Sequence, residues 1–343
     1  MKALIKSKAE PGFDYLDIEK PVVGENDILL KILAASICGS DVHIYEWTSG
    51  YEFMPLPLIP GHEFTAEVVE IGKNIVGLAL GDRVTSLGYM PCGECRYCRM
   101  GNVKQCEERL ILGLTKNGSF AEYMVVKGGA DLIKIPDGIS NEIASLVEPL
   151  AVCLNGIDLS GIKPGQKAAV LGPGPIGLLT VQLLKAAGAG EIVITGTSAD
   201  EQRLDIARQL GADVVIKIDE ADPVKTVRDT TGLLDYVFEA TGIPQTISQG
   251  LQMLKIGGKV MVMGIHAKEA SFDPIDLVRK RKSLIGVYAY ERSTWLRALS
   301  LLSTGKIDVS PLITHILPFH QYAEGFELAC NKSAAKVILV PED

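Results

Sequence analysis

The tightest constraint on this chain is a glycine triplet. Gly172, Gly174 and Gly177 are spaced GxGxxG between a short apolar run at 168–171 and a helical pattern at 177–187. Between a strand and a helix, that spacing lets the backbone turn tightly, approach a pyrophosphate and aim a helix N-terminus at it. Pro173 and Pro175 stiffen the turn, and Ile176 completes it. The motif is weak alone, but from residue 166 onward strand and helix patterns alternate. Strand-like runs fall at 191–195, 214–218, 236–239, 259–264 and 283–287, with a helix at 199–210. The alternation predicts a parallel, doubly wound α/β sheet of the Rossmann kind.

Upstream the texture differs. Residues 28–33, 67–71 and 123–126 are short β-rich runs punctuated by glycine and proline, which predicts an irregular β-rich domain. At 343 residues the chain exceeds what one core usually serves. The expected division is a β-rich domain over 1–150, a Rossmann domain over 151–291 and a C-terminal segment, 292–343. That segment carries helical patterns at 294–303 and 322–330 and an apolar terminal strand at 336–340. The strand needs a sheet to join, and the first domain is the expected host.

Four of the seven cysteines are packed together: Cys92-x2-Cys95-x2-Cys98-x7-Cys106. Tetrahedral Zn–S coordination, with bonds of about 2.3 Å, needs such local convergence. Four thiolates fill the shell and leave no position for a substrate, so the reading is a structural zinc that fixes a loop. Free thiols, an iron–sulfur cluster and two disulfides are the alternatives. A zinc ribbon would place about 15–20 residues between its knuckles, which this lobe does not.

A second set of donors is dispersed. Cys38, His62, Glu63 and Glu148 offer thiolate, imidazole and carboxylates, and a catalytic zinc uses three protein ligands with one position open. Individually each has an ordinary explanation, as a small buried residue, a core imidazole or an ion-pair partner.

Taken in order, the motifs are more specific. CGSD at 38–41, GHE at 61–63, GDRV at 81–84, the cysteine lobe, EPL at 148–150 and the glycine turn resemble the zinc-dependent medium-chain alcohol dehydrogenases over nearly the full length. One departure is Ala66, where that family often has glycine. The resemblance implies a GroES-like catalytic domain ahead of the Rossmann domain, and two zinc ions per chain. It implies that Cys38 and His62 bind the catalytic zinc, with Glu63 as third ligand and Glu148 close by, direct or through water. Such a metal would acidify an alcohol, as it lowers the pKa of bound water to about 7 in well-studied sites. Ser40 and His43 match positions that form a proton relay in relatives. A homotetramer is implied, with a dimer as the alternative.

The second Rossmann strand ends at Gly196-Thr197-Ser198, where a carboxylate would hold the ribose of NAD. None stands at the strand end itself. Thr197, Ser198 and Arg203 are therefore expected to receive a 2′-phosphate, which favours NADP, while Asp200 keeps NAD open. Ser198 and Glu201 match a capping box that would start the next helix.

For substrate, residues 40–47 are similar to threonine dehydrogenases, whereas 148–152 and the Tyr290-x-x-Ser-Thr-Trp295 run are more similar to sorbitol-type polyol dehydrogenases. Ala289 departs from the arginine common in the polyol branch. Ala151 and Val152 depart from the Gly-Asn of the threonine branch. The preferred substrate is a polyol or sugar-derived secondary alcohol, with L-threonine 3-dehydrogenase as the alternative and a catalytically inactive zinc scaffold as another. Trp47, Tyr51, Phe53, Tyr288 and Trp295 are candidates for a pocket or simply for core. His266, His315, His320, Cys153 and Cys330 take structural readings, and the basic run 279–282 reads as a solvated turn.

The net charge of −8 argues against nucleic acid. No run of eighteen apolar residues spans a membrane, and the first residues lack the apolar stretch of a signal peptide, so a cytoplasmic location is expected.

Overall fold

The computed structural model describes residues 1–127 and 132–342. The chain forms two compact units. One comprises Met1–Glu148, Glu291–Ser303 and Ile313–Asp343; the other comprises Pro149–Tyr290 and Thr304–Leu312.

The first unit is organised by the ten-residue strand Asp27–Ser36, whose Leu30, Ile32, Ala34 and Ala35 are wholly buried. This strand is covered on both faces, so its sequence is an apolar run rather than an alternation. It pairs antiparallel with Glu63–Ile71, Tyr123–Lys127 and Lys336–Val340. The sheet continues from Lys336–Val340 to Ile313–Pro318, and from Glu63–Ile71 through Arg83–Ser86 to Leu132–Lys134. Ala66, the departure noted in the sequence, is fully buried opposite Ile32 and Val84. Phe13, Tyr45 and Phe326 make an aromatic cluster, with Phe326 stacked on Tyr45 at 4.7 Å and edge-on to Phe13 at 5.1 Å. Lys6 is buried beside it. Its ammonium donates to the carbonyls of Glu10 (2.5 Å), Gly12 (3.2 Å) and Tyr45 (3.4 Å), tying the first loop to the end of helix Gly39–Glu46.

The second unit is a six-stranded parallel sheet. Its strands lie side by side in the order Val214–Lys217, Glu191–Gly196, Lys167–Leu171, Leu234–Glu239, Leu254–Val262 and Ser283–Gly286. The chain enters at Lys167–Leu171, winds outward to one edge, then returns to the other side of its starting strand. The glycine turn leaves that central strand, at the point where the winding reverses and open α/β sheets bind ligands.

Besides helices such as Gly39–Glu46 and Val147–Ser160, three in the second unit were not legible in the sequence: Pro223–Thr230, Pro244–Met253 and Pro274–Lys280. Each is short and opens on a proline at its first position, where a missing N–H costs nothing. The fifth strand begins at Leu254, earlier than residue 259, because Gly257 and Gly258 interrupt the apolar pattern inside it.

The segment 292–343 does not pack as one piece. Residues 304–312 join the second unit, where the Gln182 amide donates to Asp308 O and accepts from Asp308 N, both at 2.7 Å. The basic run is also corrected at one position. Lys282 is buried, and its ammonium donates to Leu251 O. Among the described residues no helix is long and apolar enough to cross a membrane.

Candidate active site

Cys38 ends the central strand's exit and caps helix Gly39–Glu46. Its N–H donates to Asp41 Oδ2 at 3.0 Å, satisfying one of the groups a helix start leaves open. His62 and Glu63 open the neighbouring strand, where Glu63 stands opposite Ser36. Sheet register thus brings Cys38, His62 and Glu63 together, with one ligand atom from each within 4.8 Å of the others.

His62 and Glu63 are buried and Cys38 half-buried, and several polar atoms of the site lack partners among the described residues. Glu63 Oε2 accepts from the Ser36 hydroxyl and from Lys336 Nζ, the latter at 2.5 Å, but Oε1 has no hydrogen-bond partner among the described residues. His62 Nδ1 and Asp41 Oδ1 also lack hydrogen bonds, and face one another at 3.8 Å. Burial alone would pull the His62 imidazole down. The negative charges of Asp41, Cys38 and Glu148 outweigh it and push it well above its ordinary value. Burial likewise opposes charge on Lys336, and Glu63, Cys38 and Asp41 overcome it and push its pKa up. Surroundings that hold a proton on a buried imidazole this firmly are suited to a cation. Cys38, Asp41 and Glu63 gather a thiol and two carboxyl groups beside the Lys336 ammonium, a donor set suited to a divalent cation. The thiolate, imidazole and carboxylate donors match a zinc site with one position left open.

Glu148 lies in the first turn of helix Val147–Ser160, outside that donor cluster yet near enough for its charge to act on His62. Ser40 and His43 sit three residues apart on helix Gly39–Glu46, and so share a face. Ser40 Oγ is buried with no partner among the described residues, and His43 Nδ1 meets Thr48 Oγ1 at 3.2 Å. Tyr51 stacks on His43 at 6.1 Å, whereas Trp295 is wholly buried core, and Phe53 and Tyr288 are exposed.

The cysteine lobe converges as its spacing demands. Cys92, Cys95, Cys98 and Cys106 bring their sulfurs within 4.8 Å of one another, with Cys92 Sγ 3.5 Å from Cys106 Sγ and 3.9 Å from Cys98 Sγ. Backbone N–H groups point at the sulfurs: Cys92 N lies 3.2 Å from Cys106 Sγ, and Cys95 N 3.4 Å from Cys92 Sγ. Amides of Cys98 and Glu107 draw the Cys95 thiol down to about 6, favouring the thiolate a metal requires.

In the second unit, Gly172 adopts φ +100, and a side chain there would strike Thr241. A Cβ on Gly177 would lie 1.9 Å from Gly172 O, so only glycine permits this closeness of turn and helix. Gly174 caps helix Pro175–Ala186 and has open space around its missing side chain. The first N–H groups of that helix, at Ile176 and Gly177, are available to a pyrophosphate.

The end of the second strand corrects the sequence reading. The capping box is Thr197 with Asp200, not Ser198 with Glu201: Thr197 N and Oγ1 both donate to Asp200 Oδ2, at 3.0 and 2.7 Å. Glu201 instead pairs with Lys217 and Arg208. The three residues offered to a 2′-phosphate are each engaged by a carboxylate. Ser198 N donates to Asp219 at 2.9 Å and Ser198 Oγ to Glu220 at 2.9 Å, while Arg203 is largely buried, 3.8 Å from Asp200. Burial works against charge on Asp219, but the Ser198 hydrogen bonds prevail and hold its pKa below the ordinary value.

A buried three-donor cluster, a four-cysteine lobe and a dinucleotide turn at a sheet's switch point together define a metal-dependent nicotinamide oxidoreductase. The chain belongs to the zinc-dependent medium-chain alcohol dehydrogenase superfamily. An alcohol dehydrogenase GroES-like domain matches residues 24–137, and a zinc-binding dehydrogenase domain matches 175–304. An L-threonine 3-dehydrogenase of Shewanella baltica is 37% identical over 344 residues, covering 99% of both chains. Among solved structures, 2R,3R-butanediol dehydrogenase of Bacillus subtilis is 32% identical, with a TM-score of 0.90 and 99% of both chains covered. A zinc-binding dehydrogenase of Sinorhizobium meliloti 1021 bound to NADP is 30% identical, with a TM-score of 0.91 and the same coverage. Zinc and a nicotinamide dinucleotide are the cofactors of this family.

Asp41, Ser36 and Lys336 escaped the sequence reading as members of the site. Asp41 carried a signal, since an acidic residue three positions after Cys38 fits a helix cap. Lys336 carried none beyond being a charged residue at the start of an apolar strand.

Proposed function

We propose that this protein oxidises a secondary alcohol to a ketone, with hydride transfer to NAD+, and that the alcohol is a polyol or sugar derivative. The reading is carried by the donor cluster of Cys38, His62 and Glu63, adjoined by the helix that bears Ser40 and His43. A zinc ion bound there supplies Lewis acidity toward a hydroxyl, favouring loss of its proton. Glu148 is the reserve carboxylate. Ser40 accepts the hydroxyl proton at Oγ, and His43 passes it toward solvent. A nicotinamide dinucleotide bound at the glycine turn would supply the two-electron hydride acceptor for the carbon-bound hydrogen, so that alcohol oxidation would balance its reduction. Gly172, Gly174, Pro175, Ile176 and Gly177 would hold the pyrophosphate of the dinucleotide. Cys92, Cys95, Cys98 and Cys106 would hold the second zinc in a closed shell with no position for substrate.

The proposed choice of NAD departs from the sequence expectation of NADP, to which the NADP of the Sinorhizobium meliloti structure lends support, on an electrostatic ground. Asp200, Asp219 and Glu220 surround Thr197 and Ser198, and a 2′-phosphate would enter a shell of like charge, whereas ribose hydroxyls find acceptors there.

The vicinal diol named for the Bacillus subtilis structure supports the polyol reading. A second reading, oxidation of the threonine 3-hydroxyl, is favoured by the 37% identity to L-threonine 3-dehydrogenases. A panel of polyols, threonine and simple alcohols with both cofactors, followed by nicotinamide absorbance, separates them. Turnover of threonine alone would sink the polyol reading, and no turnover of any alcohol by zinc-replete protein would favour the inactive scaffold. The expected assembly is a homotetramer, which light scattering distinguishes from a dimer.

A further inference from the structure

The last strand of the chain reaches the metal cluster. Lys336 opens strand Lys336–Val340, which lies beside Asp27–Ser36 in the sheet. Its side chain is buried, and its ammonium has two partners of opposite kind: Glu63 Oε2 at 2.5 Å and Ile37 O at 2.9 Å. Ile37 immediately precedes Cys38, and Ile37 N donates to Val337 O at 3.0 Å, so the same strand grips this turn through its backbone as well. One ammonium therefore braces both the carboxylate and the backbone that presents the thiol.

The two oxygens of Glu63 are unequal. Oε2 is taken by Ser36 Oγ and Lys336 Nζ, whereas Oε1 is buried without a partner among the described residues. A buried carboxylate oxygen left without a partner carries an uncompensated desolvation cost. The cost is relieved if that oxygen meets a cation. Glu148 lies outside the donor cluster.

We propose that Lys336 is a positioning residue of the zinc centre: with Ser36 it fixes Oε2 of Glu63, leaving Oε1 as the ligand oxygen and making Glu63 the resting third ligand. This rests on the assignment of Cys38, His62 and Glu63 as zinc ligands. It adds that the C-terminal strand, remote in sequence, sets how tightly that zinc is held. The ammonium's role is geometric and electrostatic, and Lys336 touches neither substrate nor cofactor.

The test uses the full-length zinc-loaded protein, with K336M, K336R and S36A. Zinc per chain is measured by elemental analysis, and zinc transfer to a chromogenic chelator is followed in time, with the four-cysteine lobe as an internal reference. Wild type should hold two zinc ions and release them in two phases. In K336M the phase assigned to the catalytic site by its absence in C38S should accelerate about 10–100-fold, the range seen when residues supporting a ligand are lost. The lobe phase should be unchanged. K336R should stay near wild type, and S36A, which preserves the buried charge pair, should fall between. With cobalt in the catalytic site, the visible bands should shift in K336M and S36A as the carboxylate reorients.

Unchanged release and an unchanged cobalt spectrum in both K336M and S36A would overturn the proposal, as would equal acceleration of both phases. If K336M does not fold, S36A decides by the same two readouts. Wild type with a single zinc, unaffected by C38S, would instead refute the ligand assignment itself.

Discussion

Asp41 Oδ1 faces His62 Nδ1 at 3.8 Å, both atoms buried and neither hydrogen-bonded to any described residue. A metal-binding histidine commonly offers its second ring nitrogen to a carboxylate, which fixes the tautomer and the ring plane. Asp41 is placed for that role, and its other oxygen is held by Cys38 N. One carboxyl group thus adjoins two of the candidate zinc ligands. Burial pushes the Asp41 carboxyl above its ordinary value, outweighing the opposing charge of His62.

Asp41→Asn preserves shape and removes the titratable carboxyl. We expect kcat/KM to fall about 10–100-fold, with catalytic-site zinc released faster. Cys38→Ser or His62→Ala should go further, to one zinc per chain and no measurable turnover. Wild-type turnover in either would refute the metal assignment. Steady-state kinetics beside elemental analysis gives both numbers.

The cysteine lobe should behave independently. Cys98→Ser removes one of four thiolates from a closed shell, and is expected to lose the structural zinc and lower the melting temperature while the Cys38 site keeps its metal. A mild chelator that takes only the lobe zinc should reproduce that shift. If the variant retains two zinc ions, the lobe does not hold a metal.

At the ribose end, kcat/KM should be larger with NAD+ than with NADP+. Asp219→Asn combined with Glu220→Gln removes two of the three carboxylates around Ser198, and should improve NADP+ use relative to NAD+ by at least about tenfold, equivalent to about 1.4 kcal/mol. A wild-type preference for NADP+ would defeat this reading.

Lys6 offers a stability test outside the two donor clusters. Replacing it with Met leaves the carbonyls of Glu10, Gly12 and Tyr45 without its ammonium. At about 1–3 kcal/mol for each buried group that finds no new partner, the expected loss is about 3 kcal/mol. Thermal or urea unfolding measures it, and a loss below about 0.5 kcal/mol would show that the loop re-forms its hydrogen bonds without Lys6.

Much of this architecture was legible because its signals are local. The cysteine spacing predicted a closed cluster, since four thiols within one short loop have little choice of partner. The glycine turn declared its strand and helix because Gly172 and Gly177 answer steric demands from neighbours close in sequence. Short helices such as Pro223–Thr230 were missed, having too few turns for a periodic pattern to stand out. The ribose end was misread for another reason: Asp219 and Glu220 follow the third strand, and only parallel pairing of Glu191–Gly196 with Val214–Lys217 brings them to Ser198.

Sequence by itself determined the class of chemistry, the doubly wound sheet and two candidate sets of metal donors, because residue type and short spacing carry that information. Tertiary structure decided how the donors are held. Sheet register set Glu63 against Ser36, the returning terminal strand delivered Lys336 to Glu63, and burial left Oε1 of Glu63 without a partner. Those relations depend on backbone hydrogen bonds between distant segments and on exclusion of water, and neither is written in the spacing of residues along the chain.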